Sequence, residues 1–337
     1  MAAALAMGLL AALACSSPPP DQARLKPSLE LRQVDGGQVA YELGQPVPTF
    51  DPQPRTRIDL SGVWRFQPAA LDEALTFAER TDATKRALTD EAGARLQQSF
   101  DDTSWGQLAV PGTFSPPPSS RVEGGWYRDR FTVAESWDTE ATLEFQSAGY
   151  VADAWLNGRY LGYHEGAWTA FALDATDALR PGQVNTLVVR VDDPPWGTRL
   201  DIVPWGLADW WNYGGITGPV SIEGTPALSL VRADVTPHLD GADVSVVLRN
   251  RGAAQDQLSL ITEVLPTSVG DGNLTDPDPR HLVPAVATPV ASQVTGLDAM
   301  AGGDVRRVAV QFVIRRADLW SPLRPALYVL RAALVGP

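Results

Sequence analysis

Cysteine, histidine and concentrated positive charge are what this sequence has least of, and each shortage removes a class of function. A single cysteine in 337 residues, Cys15, allows no disulfide within the chain, so whatever folds is held by packing alone. The three histidines, at 164, 238 and 281, lie far apart without ligand spacing, so no metal site and no other cofactor is expected. Twenty-seven basic residues stand against 40 acidic ones, a net charge of −13, and no Lys/Arg cluster offers a stripe for phosphates. Nucleic acid is thereby excluded as a partner. No Gly-x-Ser-x-Gly elbow is present to carry a nucleophilic serine.

The run Met1 to Ala14 is almost wholly Ala, Leu, Met and Gly, and it is too short to cross a bilayer as a helix. It reads as the apolar part of a secretory signal over residues 1–15, with Ala12-Leu13-Ala14-Cys15 resembling a bacterial lipoprotein cleavage box. Against that pattern, no basic residue precedes Arg24. The expectation is an exported protein, periplasmic or at the cell surface, whose one link to a membrane is a lipid on Cys15.

Apolar residues make up 44% of the chain and eleven are Trp, enough for a packed core. The length suits two domains behind a short leader. Residues 16–56, with Pro46, Pro48, Pro52 and Pro54, read as a Pro-rich tether and extended lead-in. From Ile58 short apolar runs alternate with turn signals, as an antiparallel β-sandwich requires, and Asn157-Gly158 between Trp155 and Leu161 marks a type I′ hairpin. Ala70 to Gln98 breaks the pattern with helical spacing and predicts a helix-containing insertion. After Thr225 aromatics thin out: ten of the eleven Trp precede it. Val244, Val246 and Leu248 alternate with Ser245, Val247 and Arg249, one set predicted inward and the other partly toward solvent. Residues 226–337 thus read as an immunoglobulin-like sandwich, with long loops across 266–305.

The front domain, 57–225, carries a string of landmarks. They include Leu60-Ser61-Gly62-Val63-Trp64-Arg65-Phe66, Phe100-Asp101-Asp102-Thr103-Ser104-Trp105, Val110-Pro111-Gly112-Thr113-Phe114 and Gly125-Trp126-Tyr127-Arg128. Further on come Leu161-Gly162-Tyr163-His164-Glu165-Gly166 and Asp209-Trp210-Trp211-Asn212-Tyr213-Gly214-Gly215-Ile216. In this order and spacing the chain resembles glycoside hydrolase family 2, over roughly residues 57 to 335, and most of all its β-glucuronidases. The resemblance implies an all-β fold, a jelly-roll (galactose-binding-like) sandwich followed by an immunoglobulin-like one. It also implies a carbohydrate partner, a β-glycoside, and makes Asp209 the candidate substrate contact, because the family's acidic residue there reaches the sugar in the neighbouring barrel. Trp210 and Trp211 join it, since flat aromatic faces suit the C–H surface of a sugar ring.

Retaining glycosidases need two carboxyl groups about 5 Å apart. In this family both come from a (β/α)₈ barrel of about 250 residues, and the acid/base glutamate follows an asparagine. Here Asn157, Asn185, Asn212, Asn250 and Asn273 are followed by Gly, Thr, Tyr, Arg and Leu. No catalytic residue is expected in this chain, which reads as the non-catalytic front of an exported β-glycosidase whose barrel is its partner. The alternative is a stand-alone glycan-binding surface lipoprotein. An exposed apolar seam separates the two, being expected of the first and not of the second. Trp64, Trp105, Trp126 and Trp155 are read as core, Arg128 and Arg130 as partners of carboxylates, and His164 with Glu165 as a surface pair.

Overall fold

The computed structural model describes residues 28–50, 54–115, 122–137, 139–195, 213–267, 281 and 287–336. The chain opens with β1 (Leu29–Val34), β2 (Gly37–Glu42) and β3 (Gln45–Pro46), paired antiparallel in that order. It continues through β4 (Arg57–Asp59), β5 (Gly62–Pro68), helices α1 (Glu73–Thr76) and α2 (Asp82–Ala92), and a 3₁₀ turn at Gly93–Leu96. Then follow β6 (Gly106–Val110), β7 (Gly124–Thr132), β8 (Glu140–Phe145), β9 (Val151–Leu156), β10 (Arg159–Glu165), β11 (Phe171–Asp174), β12 (Val184–Asp192) and β13 (Val220–Thr225). The last group is β14 (Leu228–His238), β15 (Gly241–Asn250), β16 (Leu258–Pro266), β17 (Ala291–Leu297), β18 (Val305–Val313) and β19 (Tyr328–Val335).

A six-stranded sheet, β10-β9-β12-β7-β5-β6, faces a four-stranded one, β11-β8-β13-β4. Inward residues alternate as a two-sheet core requires: Leu187, Val189 and Val191 of β12 meet Leu143 and Phe145 of β8 and Ile222 of β13. Behind Leu228 a second sandwich packs β14-β15-β18 against β17-β16-β19 around Val246, Leu248, Leu260 and Val310. The fold is all-β with paired sheets, as expected.

The helical stretch predicted between Ala70 and Gln98 is α1, α2 and the 3₁₀ turn. Asp72 and Thr81 cap the two helices, accepting from Leu75 N and Thr84 N. The helices cover the outer face of the six-stranded sheet: Leu88, Ala92 and Leu96 bury Trp126, Trp155 and Val188. All four tryptophans assigned to the core are buried, and the Trp155 indole N–H donates to the Thr89 hydroxyl. Asn157 and Gly158 take φ of 52° and 85°, the left-handed pair that a type I′ turn demands.

Four expectations are corrected. Within the tether over 16–56, the strands between Leu29 and Pro46 form the β1–β3 sheet, and β2 lays Val39 and Tyr41 on Val247 of β15. That contact also explains why Val247 is fully buried rather than partly solvent-facing. The loop region 266–305 contains a whole strand, β17, paired along β16. His164 is buried, with partners other than the expected Glu165: Nδ1 donates to Glu42 Oε1 at 2.5 Å and Nε2 meets the Thr169 hydroxyl at 2.8 Å.

Candidate functional site

The segment singled out from sequence leaves the six-stranded sheet at the end of β12 and returns before β13. Its aromatic and acidic candidates, Asp209, Trp210 and Trp211, lie outside the described residues, as do Trp196, Trp205 and Cys15. Both anchors of the segment are described. On the outgoing side Asp193 N donates to Glu123 O at 2.8 Å, and Asp192 O accepts from Tyr150 N at 2.8 Å. On the returning side Gly215 and Gly149 exchange backbone hydrogen bonds of 3.1 and 2.8 Å, while Phe114 N and Gly112 N donate to Gly214 O and Ile216 O. Two landmarks, Val110 to Phe114 and Tyr213 to Ile216, therefore meet the Gly149-Tyr150 link at one end of the sandwich.

The glycines are required there by space. A Cβ on Gly214 would lie 2.5 Å from the Phe114 ring and 2.6 Å from Asp193 Cβ. Gly215, at φ 133°, would bring a Cβ to 2.8 Å from Gly112 O. Gly214→Ala is expected to destabilise the fold by about 1–3 kcal/mol through this overpacking. Urea unfolding checks it, with Gly296→Ala, where a Cβ meets open space, as the neutral control.

Behind the anchors lies a buried polar layer. Arg190 Nε donates to Asp192 Oδ1 at 2.6 Å, and the Thr76 hydroxyl donates to Asp192 Oδ2 at 2.8 Å. Burial pushes the Asp192 carboxyl up to about 6 in spite of the Arg190 cation. Burial likewise raises the Tyr127 phenol, whose oxygen accepts from Ile216 N. Arg128 and Arg130 both pair with Asp102, the carboxylate partner expected of them.

The open surface at this end is a shallow concavity lined by Pro111, Gly112, Thr113, Trp168, Tyr213 and Thr217. Trp168 and Tyr213 meet edge to face, ring centroids 6.4 Å apart. Sequence reading passed over Trp168. Its available signal was an aromatic just outside the strand alternation, in the Gly166-Ala167-Trp168-Thr169 link between β10 and β11. Among the described residues no group of His, Cys, Asp or Glu is placed to hold a metal ion.

The family model for glycosyl hydrolases family 2, sugar binding domain, matches residues 58–226. β-Galactosidase 2 of Enterobacter cloacae is 27% identical over 309 residues, 88% of this chain and 28% of that protein. The β-galactosidase of Arthrobacter sp. (strain B7) is 31% identical over 231 residues, 57% of this chain and 22% of that protein. Among solved structures, Bacteroides uniformis β-glucuronidase 2, covalently bound to cyclophellitol-6-carboxylate aziridine, superposes with a TM-score of 0.62 at 20% identity, covering 84% of this chain and 30% of that one. The chain thus spans under a third of the length of these relatives. With the landmarks, the paired sheets and the family model all falling on the same residues, the chain belongs to glycosyl hydrolase family 2 and carries the family's sugar binding domain.

Proposed function

We propose that this chain is the non-catalytic front of an exported family 2 β-glycosidase, where it helps to bind the carbohydrate and supports a catalytic barrel. The observation that carries this is an apolar face on the second sandwich. Trp320 is 59% exposed and Leu323 99%, with Leu319 and Leu327 beside them. Leu319, Trp320 and Leu327, together with Val235, Ala317 and Tyr328, line an open groove at the end of β14 and the start of β19. Soluble monomers seldom leave large contiguous apolar surface uncovered. The catalytic barrel is the partner assigned to this face, and a stand-alone surface lipoprotein that binds glycans would have covered it with polar residues.

On this reading Asp209 accepts hydrogen bonds from sugar hydroxyls, with Trp210 and Trp211 against the ring. The protein works in the periplasm or at the cell surface, where Cys15 is its lipid anchor. The DNA downstream of the last codon is expected to encode, in frame, a barrel-length segment with an Asn-Glu pair. An unrelated gene there would transfer the function to the stand-alone binder. Titration of the chain with methyl β-D-glucuronide, followed by NMR, is expected to show saturable binding that Asp209→Ala weakens roughly tenfold, the worth of a charge-assisted hydrogen bond. Undiminished binding by the variant would remove Asp209 from the site.

A further inference from the structure

We propose that Trp168 is a carbohydrate-stacking residue, its indole forming one wall of a subsite that takes the C–H face of a β-linked pyranose. The inference rests on the carbohydrate-binding reading above and adds to it a residue and a surface built wholly from described parts of the chain.

Trp168 breaks the rule its neighbours follow. Trp64, Trp105, Trp126 and Trp155 of the same sandwich are buried, whereas Trp168 is 55% exposed. It lines a shallow concavity together with the Pro111-Gly112-Thr113 turn, Thr217 and Tyr213, against whose ring it packs edge to face. An indole presents a large flat apolar surface at little entropic cost. The ring hydroxyls of a pyranose need partners at the edge of such a platform. Thr113 and Thr217 supply hydroxyl oxygens there, each already oriented: Thr113 Oγ1 donates to Gly214 O at 2.8 Å, and Thr217 Oγ1 lies 2.8 Å from Ser147 Oγ. The lining is thus an aromatic platform with a few fixed polar groups, the composition of a small-molecule site.

The loop that presents Trp168 is held on both sides. Ala167 is buried against Gly149, where a Cβ would come within 3.0 Å of it. Gly166, at φ 139°, donates its N–H to Tyr150 O at 2.9 Å. On the other side the Thr169 hydroxyl meets His164, which stacks on Phe171 with centroids 4.3 Å apart and pairs with Glu42 of β2. The exposed ring therefore sits on a backbone that packing and hydrogen bonds fix from below, a preorganised platform rather than a loose surface aromatic.

The test is a ¹⁵N-labelled sample of the chain, in which Trp168→Phe identifies the Trp168 indole N–H signal. Methyl β-D-galactopyranoside and methyl β-D-glucuronide are titrated separately. The Trp168 signal is expected to shift saturably with at least one of them. Trp168→Ala is expected to bind that glycoside roughly tenfold more weakly and Trp168→Phe to restore most of the affinity. Unchanged thermal unfolding of both variants is expected from the exposure of the ring. Saturable binding that leaves the Trp168 signal still and survives Trp168→Ala overturns this assignment and leaves the carbohydrate-binding reading standing. Binding of neither glycoside by the unsubstituted chain overturns both.

Discussion

Replacing Asp153 by alanine is expected to destabilise the protein by about 3–5 kcal/mol, because it strands a buried cation. The Arg80 and Asp153 side chains are 2% and 1% exposed. Arg80 Nε and Nη2 donate to the two Asp153 oxygens at 2.9 and 2.7 Å. Arg80 comes from the turn between α1 and α2, Asp153 from β9, and the Tyr160 hydroxyl adds a 2.6 Å bond to the same carboxylate. Burial works against the Arg80 charge, but Asp153 and Tyr160 outweigh it and hold the guanidinium above its usual range. Without the carboxylate, the cation must stay dry and unpaired or pull the helices away from Trp126 and Trp155. The double variant Arg80→Met, Asp153→Leu removes both charges and is expected to recover most of the loss. Urea unfolding of the three proteins decides it: a cost below about 1 kcal/mol for Asp153→Ala would mean that water reaches the pair.

Much of this architecture was legible because it is written in local chemistry. The Asn157-Gly158 hairpin, the helical density before Gln98 and the alternation in β15 each follow from a single chain segment. What escaped depends on contacts between distant segments. Nothing around Leu29 to Pro46 announces that β2 will lie across Val247, because Val39 and Tyr41 alternate with Gln38 and Ala40 in a strand too short to stand alone. Its stability comes from the second sandwich. His164 misled for the same reason: its neighbour in sequence is Glu165, but its partner is Glu42, and a pairing across more than a hundred residues leaves no local trace. The site divides likewise. Motif resemblance pointed to the segment carrying Asp209, whereas Trp168 belongs to another loop and joins Tyr213 only once β10, β11 and β12 have assembled.

Stability is expected to fall as pH rises from about 5 to 7.5, with Glu144 the principal cause. Glu144 projects from β8 on the face of the four-stranded sheet turned away from the core, beside Glu223 of β13 and Arg57 of β4. The N-terminal strands and the second sandwich close over this face: Arg55 bonds both Glu223 and Leu230 O, and Arg249 reaches Gln45 and Glu140. Burial, and then the Glu223 charge, push the Glu144 carboxyl up to about 7, against the pull of Arg57 and Arg55. Arg57 comes within 3.1 Å but aligns no N–H on Glu144 Oε2, which has no hydrogen-bond donor among the described residues. The folded state therefore holds a proton that the unfolded chain releases near 4.5. A raised carboxyl contributes no penalty below the unfolded value, and its penalty grows between the two values and is complete above 7. At 1.4 kcal/mol per unit it amounts to about 3 kcal/mol. Glu144→Gln, which imitates the protonated acid, is expected to match the parent at pH 4 and exceed its stability by about that amount at pH 8. Asp129 and Asp192, both raised by burial to about 6, add the same slope to both proteins up to about pH 7, so the difference between the two curves over the interval from 6 to 7.5 isolates Glu144. Parallel curves for the two proteins across that interval would show that Glu144 is ionised throughout and that Arg57 neutralises it in full.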